Sequence, residues 1–593
     1  MAALKPGARR SAAPPRPAAP KPVAAGPVAH LPVPWTDTAI VIAGVLVALL
    51  LRDHGAFRIP FINDDYMFLE GTRGRSVLDV WGLQHLAFHW WRPWSRELHY
   101  LLMQRIAGTN VASYHAANFA LLSVALAIYY RLAAGMLGRK RAAFATTAVA
   151  GLSGLALPVL WIAGVQELWM LVWALAALLA WRSNRVAGAT AAFALALLSK
   201  ETAATLPAFF LAMDVALERR TWPSALRRVA PALALEALWA LAHPRLGGRL
   251  FHPLPVDLDA VASPPSVADR IVRTLLTNVN LDKFPAPASD LGPWWAWALA
   301  SAAVLGGVVW LVTRPRAGEP AGGPPPAPRV AAFAAAWAVF GWLPLLLPGL
   351  GWQAYYAVWG SFGAWLAIAA IANWDRAAVV GIVVVLAGIG VARDATPSQD
   401  WGDAYYQRRA GNLLLQVRAL VETAIGRPAP HSRFYFWQMP DRIGFLYGDG
   451  PAIRVWYGDS TLRAGLLSTW RPRAAGDTGP DRFFRLDGDR LNEVLVGDED
   501  GARALADDPA WASRHGELAV TFARANDMVA AAREYEKLAR AQPRNAEPAY
   551  NAWACWNAAG DTLAARPWQL EALRRPLVSE QVRQAMRASG LAP

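Results

Sequence analysis

The 593-residue sequence holds a single cysteine, Cys555. It can therefore form no intrachain disulfide and no CxxC metal site, whatever its compartment. Charge is sparse as well. Asp, Glu, Lys and Arg make up 17% of the chain, and although the net charge is +14, the arginines are scattered between apolar segments and form no basic face, so nucleic acid is not the expected partner. The first apolar run, TDTAIVIAGVLVALLL, lacks a small-residue cleavage site after it, which reads as a retained signal anchor and not a cleaved leader. Apolar residues, by contrast, are abundant. The chain is 55% hydrophobic with 29 tryptophans and a mean hydropathy of +0.22, above the ~45–50% apolar content of soluble domains. A membrane protein is expected.

The first 34 residues, rich in Pro, Ala and basic residues, read as a disordered basic cytoplasmic tail. Beyond them, eleven apolar runs are candidates to cross ~30 Å of hydrocarbon, near 36–51, 113–135, 142–160, 166–181, 186–199, 202–217, 229–243, 293–313, 329–348, 354–372 and 377–392. The stretch 186–217 is divided into two spans, since Lys200 and Glu201 at the centre of one span would cost several kcal/mol. With the basic N-terminus inside, the inner connections are GRKR at 138–141, RSNR at 182–185, ERRTWPSALRR at 218–228, the Arg- and Pro-rich 314–329 and NWDR at 373–376. All are basic, while the outer turns near 161–166 and 349–353 carry no Lys or Arg, as the positive-inside rule requires.

This topology predicts a transmembrane domain over 35–392, with outer loops 52–112 and 244–291, and an outer soluble region beyond it. Within that region, RFYFWQMP and IRVWYGD suggest strands in a mixed α/β unit over 393–500. From 501 to 593 the pattern is helical. Asn526-Asp527 and Gly560-Asp561 recur 34 residues apart, with Phe522 and Trp556 before and Ala531 and Ala565 after, the spacing of tetratricopeptide repeats. Trp553 stands where such a repeat wants a small residue.

The stretch FINDDYMFLE puts two adjacent carboxylates, Asp64 and Asp65, just after the first span. Such a pair can cap a short helix or stay solvated; at a membrane boundary near cations it can also serve as a general base, orient a nucleophile or hold a metal. His85, His89 and His99 share the loop without metal-ligand spacing; no metal is assigned, and a divalent ion is left open. Lys200-Glu201 reads equally as an ion pair closing a hairpin, Glu167 as a residue starting a span near the helix dipole, His115 as an interfacial hydrogen-bonding ring, and Tyr355 and Tyr356 as belt aromatics.

Several motifs together resemble the C-type (GT-C) membrane glycosyltransferases, especially the protein O-mannosyltransferases with tetratricopeptide repeats and their bacterial relatives. These motifs are Asp64-Asp65, Arg92-Pro93, the Gly108 to Asn110 turn, Tyr114-His115-Ala116-Ala117-Asn118, the VQELW stretch opening with Glu167, and the Ser-Lys-Glu turn in LLSKETAATLPAFF. Relatives carry Glu-Arg-Tyr after the ninth span, where this chain reads GWQAYYAVWG, with Gln353 and Ala354 at the charged positions. The resemblance implies a polytopic α-helical protein of about eleven spans. It implies transfer of a monosaccharide, with inversion, from a polyprenyl-phosphate donor to a protein or glycan acceptor outside the cytoplasm. Asp64 or Asp65 would be the base; Arg92, Arg96 and Lys200 would hold the donor phosphate; His115, Glu167, Glu201, Tyr355 and Tyr356 would line the cavity. Composition suggests a bacterial inner membrane, with the site and C-terminus facing the periplasm. Two other classes stay open: a scaffold whose repeats recruit partners, and a lipid or polysaccharide transporter.

Overall fold

An apolar run in hydrocarbon must satisfy its own backbone groups, which favours helices, and in the computed structural model each of those eleven runs is mainly helical where it is described. It describes residues 33–591 apart from 84–85, 248–264, 288–293, 317–326, 347–351, 399, 438, 440–448, 467–468, 470–477, 495–514, 517–518, 521 and 577; the expected basic tail up to residue 32 lies outside them. The bundle comprises α1 (Trp35–Arg52), α2 (Asp64–Thr72), α3 (His99–Ala107), α4 (Val111–Ala150), α5 (Ala156–Leu160), α6 (Val165–Arg182), α7 (Val186–Leu197), α8 (Leu206–Ala212), α9 (Trp222–Ala242), α10 (Val267–Thr277), α11 (Trp294–Val312), α12 (Pro328–Trp342), α13 (Ala354–Ile371) and α14 (Arg376–Ala395). Next come α15 (Ala404–Ile425), β1 (Arg433–Trp437), α16 (Pro451–Tyr457), β2 (Arg463–Leu466), β3 (Asp481–Asp487) and β4 (Arg490–Val494). The chain finishes with α17 (Met528–Ala541), α18 (Ala546–Ala558), α19 (Thr562–Arg574) and α20 (Glu580–Ala588). Among the described residues, seven helices are long and apolar enough to cross a membrane: α1, α4, α6, α11, α12, α13 and α14 with their short extensions. The protein is an integral membrane protein.

The 40 residues of α4 would reach ~60 Å if straight, about twice the hydrocarbon thickness. Instead the chain folds back at Gly138, whose φ of 76° only glycine adopts without strain. His115, near the start of α4, bonds the Val159 carbonyl at 2.9 Å, so both arms finish at one end of the bundle. Arg139, at the fold, donates to the carbonyls of Val312 and Arg314 at the other end, where Arg316 also pairs with Asp37 at 2.6 Å. The expected runs 113–135 and 142–160 are thus the two arms, except that the second breaks after Ala150. There Arg52 takes the carbonyls of Ala150 and Leu152 at 3.3 and 3.2 Å, acceptors that a continuing helix needs for its own ladder.

The acid-pair end carries an ionic junction between bundle and soluble region. Arg393, 3% exposed, pairs with Asp282 at 2.6 Å, Asp403 at 3.0 Å and Asp394 at 3.5 Å. Nearby, Asp53 accepts from Arg52 at 2.9 Å and from Arg408 of α15 at 3.0 Å. Asn280 adds a tie: its amide donates to the carbonyls of Gly151 and Leu386 and accepts from the Ser153 amide.

In the soluble region, the sheet order is β2-β1-β3-β4, with β1 parallel to β2 and β3, and β3 antiparallel to β4. RFYFW forms β1 as expected. IRVWY does not form a strand; it lies in α16, because parallel neighbours require a crossover, and Gly450 and Gly458, both left-handed, bracket a helix that starts at Pro451. Helix α16 rests on α2: Arg454 pairs with Glu70 at 3.2 Å, Arg73 donates to the Arg454 carbonyl at 3.3 Å, and the Trp456 indole donates to the Tyr66 hydroxyl at 2.9 Å. In the last four helices, Asp527 and Asp561 cap α17 and α19 by accepting from Ala530 and Ala564. Glu536 accepts from the indoles of Trp556 and Trp568, both at 2.8 Å. Trp553 is partly buried between these helices.

Candidate active site

The acid pair opens α2. Phe61 and Ile62 are buried just before it, and Asn63 takes the backbone through φ 50°, a conformation that costs roughly 1–3 kcal/mol away from glycine and is held only by firm surroundings. The helix dipole then favours acids in the first turn. The two acids are not equivalent. Asp65 is 0% exposed; its carboxylate accepts the Ile62 amide at 2.9 Å and the Tyr100 hydroxyl at 2.8 Å. Burial pushes its pKa up to about 8 against the pull of Ile62, Tyr100 and the Ala163 amide. Asp64, one residue earlier, is only half-buried.

A second set of charges meets at the turn between α5 and α6. Arg92 grips Glu201 with Nε at 3.0 Å and Nη2 at 2.6 Å, and donates from Nη1 to Gln166 at 2.8 Å. Gln166 in turn donates to the Ala163 carbonyl at 3.0 Å. The Ala163 carbonyl is thus held by the glutamine that Arg92 orients. Gly164 permits this turn, for a Cβ there would sit 2.6 Å from Pro158 Cα. Burial alone would raise the Glu201 pKa, but Arg92 and His243 outweigh it and hold the group at about 2.

Next to this pair, Lys200 is bonded to Glu167 and lies under two aromatic rings, 4.8 Å from the Tyr355 centroid and 4.7 Å from that of Tyr356. Cation–π contact of this kind strengthens when desolvated, and Lys200 is 7% exposed. Tyr355 also stands 6.2 Å from Trp401, beyond α14. Lys200, Glu167, Glu201, Arg92, Tyr355 and Tyr356 are thus brought together around two ion pairs that share the consecutive residues Lys200 and Glu201.

Two expected residues occupy different surroundings. Arg96 is 2% exposed, and its three guanidinium nitrogens are taken by Glu97 and the carbonyls of Ala87 and Trp90. His115 is 0% exposed, with Nδ1 2.9 Å from the Val159 carbonyl and Nε2 3.0 Å from that of Ile59, so its ring sits between two bundle segments. Sequence reasoning missed Gln166, Tyr100 and His243, the last 3.4 Å from Glu201. Gln166 was legible in principle, as the neighbour of Glu167 in the VQELW motif. Among the described residues, no group of three or more His, Cys, Asp or Glu is placed to hold a metal ion.

No family model matches the chain, and no curated protein matches it. Among solved structures it is similar to the crystal structure of ArnT from Cupriavidus metallidurans bound to undecaprenyl phosphate. The TM-score is 0.41 and the identity 13%, over 72% of this chain and 86% of that one.

Proposed function

We propose that the protein is a membrane glycosyltransferase of the C type, which moves a monosaccharide from a polyprenyl-phosphate donor to a protein or glycan acceptor, with inversion. The observation that carries this reading is the inequality of the acid pair: Asp65 is locked inside while Asp64 stays half-buried at the start of α2. Asp64 is then the base that takes the acceptor hydroxyl's proton, and Asp65 fixes the helix that presents it. A departing lipid phosphate is a stable anion and needs no strong acid. Lys200 and Arg92 are the cations for it; both are paired in this state, so the phosphate competes with Glu167 and Glu201 for them. Arg96, with its nitrogens engaged, acts by holding the loop. Tyr355 and Tyr356 flank the Lys200 ammonium and line the cavity with Glu167 and Glu201. The helices 528–588, spaced like tetratricopeptide repeats, position the acceptor. The basic connections favour a site facing the periplasm of a bacterial inner membrane.

The test is incubation of purified protein in lipid nanodiscs with radiolabelled polyprenyl-phosphate monosaccharides, following release of the lipid phosphate. Asp64→Asn is expected to lower turnover by about 10²–10⁴-fold, the range for loss of a positioned base, with Lys200→Met raising the donor KM. Equal rates in wild type and Asp64→Asn would overturn the assignment of the base, and inactivity of wild type with every donor would overturn the reaction class.

A further inference from the structure

Helix α10 is amphipathic in the reverse sense from a helix packed on a water-soluble core. Its buried positions, Arg270, Thr274, Thr277 and the adjoining Asn278, are all polar, spaced at i, i+4 and i+7 on one face. Its remaining surface is apolar and open: Ile271 is 44% exposed, Val272 53% and Leu275 55%. The exposed character continues through Val279 and Leu281 to Phe284, which is 94% exposed. A soluble protein buries such a stripe, and an exposed apolar patch of this kind marks a docking surface.

We infer that this face of α10 lies in the hydrocarbon of the bilayer leaflet at the acid-pair end, as an in-plane helix. Three features of the structure favour lipid as the occupant. The polar face is turned to protein partners, since Arg270 donates to the carbonyls of Pro265 and Leu345 at 3.1 and 3.2 Å and Thr274 accepts the Trp352 indole at 3.0 Å. Val339 and Phe340 of α12 and Leu343 just after it, all apolar and exposed, precede the Leu345 whose carbonyl Arg270 holds. The exposed charges of the helix, Asp269 and Arg273, neutralise each other at 2.8 Å, as suits a helix at the headgroup boundary. Trp352 stands three residues before Tyr355, so the same hydrogen bond ties the depth of α10 in the membrane to the tyrosines over Lys200. The inference stands apart from the transferase reading, since it needs only a membrane and the exposed face.

Spin-label accessibility tests it. The full-length protein, as Ile271→Cys or Leu275→Cys in a Cys555→Ser background, is reconstituted into vesicles of phosphatidylethanolamine and phosphatidylglycerol. Power saturation then compares oxygen, which partitions into hydrocarbon, with a water-soluble nickel chelate. Both labels are expected to show severalfold higher oxygen than nickel accessibility, with the order reversed once the protein is moved to a lipid-free amphipol. Nickel accessibility equal to or above that of oxygen in vesicles overturns the inference in favour of water. Low accessibility to both reagents overturns it in favour of a covering protein segment.

Discussion

Asp65 offers a quantitative test of how the acid pair is held. A carboxyl moved from 3.8 to about 8 by burial has its neutral form favoured in the fold by about 4 pK units, a ceiling of about 6 kcal/mol at 1.36 kcal/mol per unit. Because the folded pKa lies above the unfolded one, this stabilisation is fully present below pH ~4, where both states are protonated. It falls as pH rises from about 4 to about 8, while the unfolded chain releases its proton and the folded chain keeps it, and it is gone above. The perturbation is Asp65→Asn, which matches the shape of the neutral carboxyl and cannot ionise. Thermal unfolding in nanodiscs, read by tryptophan fluorescence at intervals from pH 5 to 9, should show wild type losing several degrees relative to the variant as pH rises. In parallel, the infrared carbonyl band of a protonated carboxyl should be present in wild type at pH 7 and missing in the variant. If wild type instead gains on the variant with rising pH, and the band is already absent at pH 5, the Ile62, Tyr100 and Ala163 donors outweigh burial and the reasoning fails.

Other expectations follow from the buried pairs. Arg92→Met or Glu201→Gln alone should cost about 3–5 kcal/mol by stranding the partner, and the double variant should recover much of it in a double-mutant cycle of unfolding free energies. Arg393→Ala removes the cation shared by Asp282, Asp394 and Asp403, so proteolysis between α14 and α15 should accelerate well beyond that of Arg574→Ala, which breaks a pair on the surface of α19. Trp456→Phe removes the hydrogen bond to Tyr66 and should cost about 1 kcal/mol, with more rapid amide exchange along α2 as the measure.

The runs that became helices were legible because length and hydropathy are local properties. The recurrence of Asp527 and Asp561 was legible as a spacing of 34 residues, while their capping of α17 and α19 emerged only from the structure. IRVWYGD was misread for a physical reason: its aromatic and β-branched residues favour a strand, yet its neighbours Gly450 and Gly458 and the parallel pairing of β1 with β2 demand a crossover helix. The acid pair stood out by composition, but which acid is buried depends on contacts such as that of Tyr100, far away in sequence. The pairing of Arg92 with Glu201 and of Lys200 with Glu167 follows from how the 92–98 segment, α6 and the 198–201 turn meet, which no spacing rule encodes.

The seat of α16 on α2 couples two distant parts of the chain. Arg454, Arg73, Glu70, Trp456 and Tyr66 make the soluble unit a ligand of the helix that begins with the acids, so the two share a free energy. Linkage makes that sharing reciprocal: a guest that binds the soluble unit only when it is seated tightens whatever the acid helix holds, by the same factor. A coupling of about 1–3 kcal/mol corresponds to about 5–150-fold in affinity, enough to make cargo on one side of the junction a gate for cargo on the other.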